Sequence, residues 1–159
     1  LGNRDVTPPT LLITHERLAR WARQLRARLA GLPIELVETR SRADLLHALA
    51  RHPAPLLLLD LEHRPIEALD DLEAAMAAVP EVRALVLDPG RLPEVPGLCR
   101  EVGAVEVLSG PVPPPVIAGR LARLLALSRE RFGQDGWCPP GPRRGEPGLD
   151  ALDAAHVPG

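Results

Sequence analysis

The stretch "PLLLLDLE", residues 55–62, decides how the rest of the chain is read. Four consecutive leucines, Leu56 to Leu59, end on one carboxylate, Asp60. An unbroken apolar run of this kind, bounded by prolines, suits a strand covered on both faces in the middle of a parallel sheet. Such a strand delivers Asp60 to its carboxyl end, where ligands and reactive groups gather in open α/β sheets.

Working outward, four more short apolar runs read as strands: "TLLIT" (10–14), "IELVE" (34–38), "VRALVLD" (82–88) and "AVEVLS" (104–109). Helical patterns separate them. In "HERLARWARQLRARLAGLP", Leu18, Trp21, Ala22, Leu25, Leu29 and Leu32 form one stripe at three- and four-residue steps. Arg17, Arg20, Arg23 and Arg26 fall off it and read as a solvated face. Ser41 with Asp44 makes a capping-box pattern at the head of a second helix, whose core face is Leu45, Leu46, Ala48 and Leu49. "PIEALDDLEAAMAAVP" places Ile66, Leu69, Leu72, Met76 and Val79 on one face of a third. A short fourth helix, "LPEVPGLCREVG", and a fifth, "PPPVIAGRLARLLALSRERF", follow; prolines at a helix mouth are tolerated.

Five βα units in alternation predict a parallel sheet with helices on both faces. Right-handed crossovers make a flavodoxin-like doubly wound order the leading topology. The strand ends then carry His15 and Glu16, Glu38, Asp60, Asp88 and Ser109. Residues 1–9 read as a flexible arm, 10–132 as the domain, and 133–159 as a Pro/Gly-rich disordered tail or linker. Within the tail, "LDALDAAHV" has the pattern of a short helix for a partner. The chain begins with Leu rather than Met, which suits a fragment of a longer protein.

Composition narrows the chemistry. Of 159 residues, 45% are hydrophobic and 2% aromatic, so Leu, Val, Ile and Ala build the core and stacking platforms for single-stranded nucleic acid are missing. The net charge of −2 gives no general attraction for nucleic acid or anionic membranes. All 19 basic residues are arginine, which removes Schiff-base lysines and the P-loop lysine. Cys99 and Cys138 have no metal spacing and suggest no disulfide framework, so a reducing cytoplasm is the expected compartment. There is no run of transmembrane length and no signal-peptide pattern. "THERLAR" has no glycine to cradle phosphate, and there is no nucleophile elbow or metal-type His pair, so enzyme readings are set aside.

The layout resembles the receiver domain of bacterial two-component response regulators over roughly residues 10–132. Three stretches carry the resemblance: "PAPLLLLDLE", whose Asp60 falls on the family's phosphoryl-acceptor aspartate; "GAVEVLSGP", like the family's fifth strand and the Lys-Pro after it; and "LLITHERLARW", at the first strand and its acidic turn. The departures fall on chemistry. His15 and Glu16 stand where the family has a pair of magnesium-binding acids. Asp88 replaces the hydroxyl residue that ends the fourth strand. Gly110-Pro111 follows Ser109 where Lys-Pro is usual, and Val107 matches the switch aromatic. Pro65 is displaced by one from its place after the acceptor.

Acyl phosphate formation needs a divalent cation to neutralise phosphoryl oxygens. Glu16 with Asp60 could still hold magnesium, and no other cofactor is implied. If Asp88 lay about 4 Å from the phosphoryl group, repulsion would cost about 4 kcal/mol at an effective dielectric of 20. Convergence of Glu16, Asp60 and Asp88 should raise at least one carboxyl pKa, with His15 as a built-in counter-ion.

The resemblance thus implies a degenerate, pseudo-receiver-like signalling module that acts through protein–protein contacts. The alternative is a phospho-accepting receiver using Asp60 in a two-component phosphorelay. Partners would be a histidine kinase, an output domain or a second copy. The family's face of fourth helix, fifth strand and fifth helix draws attention to Arg120 and Arg123.

Overall fold

The computed structural model describes residues 8–134. The expected arm up to Thr7, and the tail from residue 135 with Cys138, His156 and "LDALDAAHV", lie outside the described residues. Residues 1–129 and 130–159 form separate units. The account below is of the first, and residues 130–134 enter only as the end of the last helix.

The chain runs β1 (Thr10–His15), α1 (Arg20–Arg28), β2 (Ile34–Thr39), α2 (Arg42–Leu49), β3 (Leu56–Asp60), α3 (Pro65–Ala78), β4 (Arg83–Asp88), α4 (Val95–Val102), β5 (Glu106–Ser109) and α5 (Pro114–Gln134). All neighbouring strands are parallel and the sheet order is β2-β1-β3-β4-β5. That is the doubly wound flavodoxin-like order predicted from the alternation of strands and helices.

The leucine run explains why β3 is central. Successive side chains of a strand point to opposite faces. Leu57 and Leu59 enter one cluster with Leu45, Leu72 and Cys99, on the α2–α3–α4 side. Leu56 and Leu58 enter the other with Trp21, Leu25, Ile117 and Leu121, on the α1–α5 side. All four leucines are buried to within 1%. Each contributes about 1.5–3 kcal/mol of burial free energy, which is an upper figure because the unfolded chain already hides some of that surface.

Helix boundaries differ from the sequence pattern in informative ways. The α1 stripe holds at Trp21, Ala22, Leu25 and Leu29, but Leu18 precedes the helix and is 59% exposed, and Leu32 follows it and is exposed. The helix starts late because its first free N–H groups are taken by the Glu16 carboxylate, four residues upstream of Arg20. In α2 the Ser41 hydroxyl accepts from Asp44 N–H at 3.1 Å, the capping contact the sequence predicts. In α3 the inward residues are Ala68, Leu72 and Ala75, with Leu69, Met76 and Val79 partly buried beside them. Ile66 is 75% exposed. It sits about 200° around the helix from Ala68, at 100° per residue, so the inward stripe leaves it outside.

Candidate functional site at the carboxyl end of β3

Asp60 lies on the α1–α5 side of the sheet, and both its oxygens are engaged. Oδ1 accepts the Glu62 backbone N–H at 2.9 Å, a turn-closing contact across the end of β3. Oδ2 accepts the Trp21 indole N–H at 2.7 Å and lies 3.6 Å from the Arg20 guanidinium. Arg20 also reaches Glu62 at 3.3 Å and lies over the Trp21 ring, 4.6 Å from its centre. The Asp60 side chain is 8% exposed and Arg20 is 44% exposed, so the guanidinium closes the outer side of a nearly buried carboxylate.

Arg20 and Trp21 escaped the sequence reading as site residues. By pattern Arg20 falls on a solvated face and Trp21 in a core stripe. A signal existed: Arg20 is the first residue of α1, whose first turn holds no acid. A cation there opposes the helix dipole and calls for a nearby carboxylate.

Glu16 is buried, and its carboxylate is turned onto the N-terminus of α1. It accepts Trp21 N–H at 2.8 and 3.0 Å and Ala22 N–H at 3.5 Å. Burial pushes the Glu16 carboxyl above the usual range, the two backbone donors pull it back, and Asp60 adds a smaller upward push offset by Arg20. The upward direction matches the crowding argument, but burial rather than repulsion is its main cause.

These contacts test the magnesium expectation. A metal on Glu16 and Asp60 would have to displace the helix cap, the indole N–H and a guanidinium already neutralising Asp60. No group of three or more His, Cys, Asp or Glu among the described residues is arranged to hold a metal ion. The residues present do not fit the family's magnesium site.

His15 lies on the opposite face from Glu16 by strand alternation. Its Nδ1 meets Thr39 Oγ1 at 2.8 Å and its Nε2 meets Asp71 Oδ2 at 2.8 Å. Asp71 Oδ1 in turn accepts Arg42 Nε–H at 2.8 Å. His15 is therefore the partner of Asp71 and not a counter-ion for Asp60. Arg20 holds that place.

Asp88 corrects the sequence reading most sharply. The β3–β4 register pairs Asp60 with Leu87, so Asp88 stands one residue further on. Leu85 and Leu87 face the α1–α5 side, while Ala84 and Val86 face the other. Asp88 thus points to the α2–α3–α4 side, across the sheet from Asp60, and raises the pKa of buried Cys99 as a secondary cause behind burial. Asp88 therefore does not face a phosphoryl group on Asp60 as the alignment of strand ends predicts. Ser109 pairs with Asp88 at the end of β5 and is exposed.

Two depressions flank Asp60 and share Arg20, Asp60 and Glu62 in their walls. One, of about 290 Å³, brings in His15, Glu16, Arg17 and Arg40. The other, of about 240 Å³, brings in Trp21, Gly110 and Pro111. The structure therefore gathers His15, Glu16, Gly110 and Pro111 around Asp60 and leaves Asp88 and Ser109 out.

On the far edge, Arg120 and Arg123 are both exposed on α5, and Arg120 pairs with Glu106 of β5 at 2.9 Å. Val116 and Leu127 lie on the same exposed stripe at helical spacing, with Leu98 of α4 and Val105 also exposed. Among the described residues, no helix is long and apolar enough to cross a membrane.

Comparison with solved structures shows the fold. A signal receiver domain of a repressor protein from Vibrio parahaemolyticus superposes with a TM-score of 0.68 at 14% identity, covering 82% of this chain and all of that one. A response regulator from Thermotoga maritima gives 0.62 at 15% identity, covering 76% and 99%. A Burkholderia pseudomallei response regulator, solved with a phosphorylated aspartic acid, calcium ion and citrate, gives 0.60 at 15% identity, covering 80% and 75%. No protein-family model and no curated protein matches the chain. The chain thus has the receiver-domain fold of response regulators, as its alternation of strands and helices predicts.

Proposed function

We propose that this chain is a receiver-like signalling module that acts through protein–protein contacts and does not accept a phosphoryl group on Asp60 in the standard way. One observation carries the reading: both Asp60 oxygens are held by groups of the chain itself, the Trp21 indole, the Arg20 guanidinium and the Glu62 N–H. A carboxylate so engaged is a poor nucleophile, and Glu16, the remaining acid of the metal position, is spent on capping α1. Asp60 then ties β3 to α1 in place of reacting. The module works as a binding partner and not as an enzyme, in the cytoplasm.

The partner is a histidine kinase, an output domain or a second copy. The face of α4, β5 and α5 suits it, with Arg120 and Arg123 among Leu98, Val116 and Leu127. Exposed apolar side chains interleaved with arginine make the composition of an interaction surface.

Intact mass after incubation with acetyl phosphate and magnesium tests the reading, with Asp60→Asn as control. No adduct is expected. A single phosphate adduct that disappears in Asp60→Asn would establish the second reading, a phospho-accepting receiver. One feature favours that alternative: Arg20, exposed and next to Asp60, stands ready as a cation for a phosphoryl group in the absence of the lysine. For the face, Arg120→Ala with Arg123→Ala should weaken capture of the cognate partner, and unchanged capture would move the interface elsewhere.

A further inference from the structure

The two helical layers differ in charge. On one side of the sheet, α1 holds Arg20, Arg23, Arg26 and Arg28 and no acid. The charged residues of α5 as far as residue 129 are also all arginine. On the other side, α3 holds Glu67, Asp70, Asp71 and Glu73 and no base. Its neighbours α2 and α4 carry one arginine and one acid each. A surface with no partner to meet can intersperse both signs and so avoid a single-sign field. Here α1 and α3 each keep one sign, although the whole chain nets only −2.

Most of these charges point outward and are not spent within the fold. All four α1 arginines are exposed. Arg20 reaches Asp60 and Glu62, and Arg26 reaches Glu38 at 3.6 Å, while Arg23 and Arg28 have no ion pair among the described residues. On α3, Asp71 turns in to His15 and Arg42, and Glu67 meets Arg64, while Asp70 and Glu73 have no ion pair among the described residues. At 100° per residue, Ile66, Asp70, Glu73 and Ala77 form the stripe opposite buried Ala68, Leu72 and Ala75. Ile66, 75% exposed, stands at the head of α3, and Leu18, 59% exposed, stands just before α1. Both helices start at the carboxyl edge of the parallel sheet, so each charged face has an apolar residue at that same edge.

We propose that the α1 face of one copy of this chain docks on the α3 face of the next. The two faces pack on opposite sides of the sheet, so one molecule cannot match them to each other, and a second copy offers the complement of each. Translating a copy along the sheet normal sets arginine against carboxylate and brings Leu18 of one copy toward Ile66 of its neighbour. Such a contact is heterologous, head to tail, and extends to a row of copies unless the rotation between them closes a ring. Complementary charge steers and orients the encounter. Exposed ion pairs are individually weak and are screened by salt, so the row forms at high protein concentration and low ionic strength. This contact uses faces other than the α4–β5–α5 surface and does not depend on whether Asp60 takes a phosphoryl group.

Sedimentation velocity on the full chain tests this over a range of protein concentrations, at about 0.01 M and about 1 M salt, where the Debye length falls from about 30 Å to about 3 Å. The average mass of wild type should rise with concentration at low salt and return to monomer at high salt. Arg23→Glu, Arg26→Glu and Arg28→Glu together reverse the α1 face and leave Arg20 in place. Glu67→Arg, Asp70→Arg and Glu73→Arg together reverse the α3 face. All six positions are exposed, and glutamate and arginine are both good helix formers, so both variants should keep the wild-type circular dichroism. Each variant alone carries one sign on both faces and should stay monomeric. An equimolar mixture restores opposite signs at every contact and should regain the association. A symmetric dimer through any single face would not be rescued in this way. Wild type that stays monomeric at low salt would overturn the proposal and leave the α1 face to an acidic partner of another kind. Variants that associate alone, or a mixture that stays monomeric, would overturn it equally.

Discussion

Replacing Trp21 by Phe and Asp60 by Asn, singly and together, asks whether Asp60 is a structural partner or a member of an acid cluster. The indole N–H reaches Asp60 Oδ2 at 2.7 Å beside a side chain 8% exposed. A hydrogen bond to a charged group in that setting contributes about 1.5–3 kcal/mol. Trp21→Phe also loses part of a buried ring, about 1 kcal/mol at 25 cal/mol per Å², so the single change should cost about 2.5–4 kcal/mol. Asp60→Asn keeps one oxygen and strands Arg20, whose exposed ion pair is worth under about 1 kcal/mol. A loss of about 1–2 kcal/mol is expected, most of it the weakened bond to the indole. In the double mutant the shared bond is counted once, and the cycle should return a coupling of about 1.5 kcal/mol. Urea unfolding followed by far-ultraviolet circular dichroism gives all four free energies without relying on tryptophan emission. The opposite reading makes the opposite prediction. If Asp60 were chiefly repelled by Glu16, Asp60→Asn would stabilise the fold. A stabilising Asp60→Asn, or a coupling below about 0.5 kcal/mol, refutes the argument.

Other perturbations follow from single contacts. Because burial raises the Glu16 carboxyl, the folded state binds a proton more tightly than the unfolded one; this contribution is fully present below the unfolded value of 4.5 and is lost as pH rises through the higher folded value. Urea midpoints of Glu16→Gln should lack that decline. His52 has the contrary sign: burial lowers its pKa from 6.5, so its contribution is full above 6.5 and is lost as pH falls through the folded value, and His52→Asn should flatten that limb of the same titration. Asp88→Asn removes a buried charge with an unpartnered oxygen and should stabilise by about 1–3 kcal/mol in chemical denaturation; destabilisation would mean the carboxylate is well satisfied. Gly103, the residue after α4, has φ 124, and a Cβ there would fall 2.6 Å from Met76 Cε. Gly103→Ala should therefore lower stability by about 1–2 kcal/mol in thermal or urea unfolding, and an unchanged midpoint would contradict the strain.

The sheet was legible because β3 declares itself: four leucines can all be buried only between two helical layers, and alternation around them then fixes a doubly wound order. Asp60 was legible as a strand-end residue for the same reason. What the sequence could not deliver was which side of the sheet each acid faces. By strand ends alone, Asp88 reads as a neighbour of Asp60. The register offset of one residue, Asp60 to Leu87, turned it to the opposite face. His15 and Glu16 separate in the same way, being adjacent in a strand. The pattern puts Leu18 inward because it gives a stripe but not the residue where the helix begins, and α1 begins beyond it, where Glu16 caps it. Ile66 lies within α3 but on the side away from Ala68 and Leu72. Arg20 and Trp21 were missed because a long cation and an indole can be core or surface by pattern alone. Only their distance to Asp60 shows the role.

A reactive aspartate pocket requires carboxylates held close together without partners, so that a metal can bind them and one can attack phosphorus. Such crowding works against stability. In this chain two acids near strand ends and one of α3 are held by separate partners instead, while Asp88 Oδ2 has none among the described residues. Glu16 goes to the α1 N-terminus, Asp60 to the indole and guanidinium, and Asp71 to His15 and Arg42. On the reading proposed above, freeing Asp60 alone would not make a standard phosphoryl site. With Arg20 removed, the Asp60 carboxylate would lose its ion pair, and Glu16 would still be capping α1. On that reading, acceptor chemistry would need coordinated change at Arg20, Trp21 and Glu16 around Asp60. Glu16, Asp60 and Asp71 are each tied into the fold by a local bond, which holds the scaffold together independently of any phosphoryl chemistry.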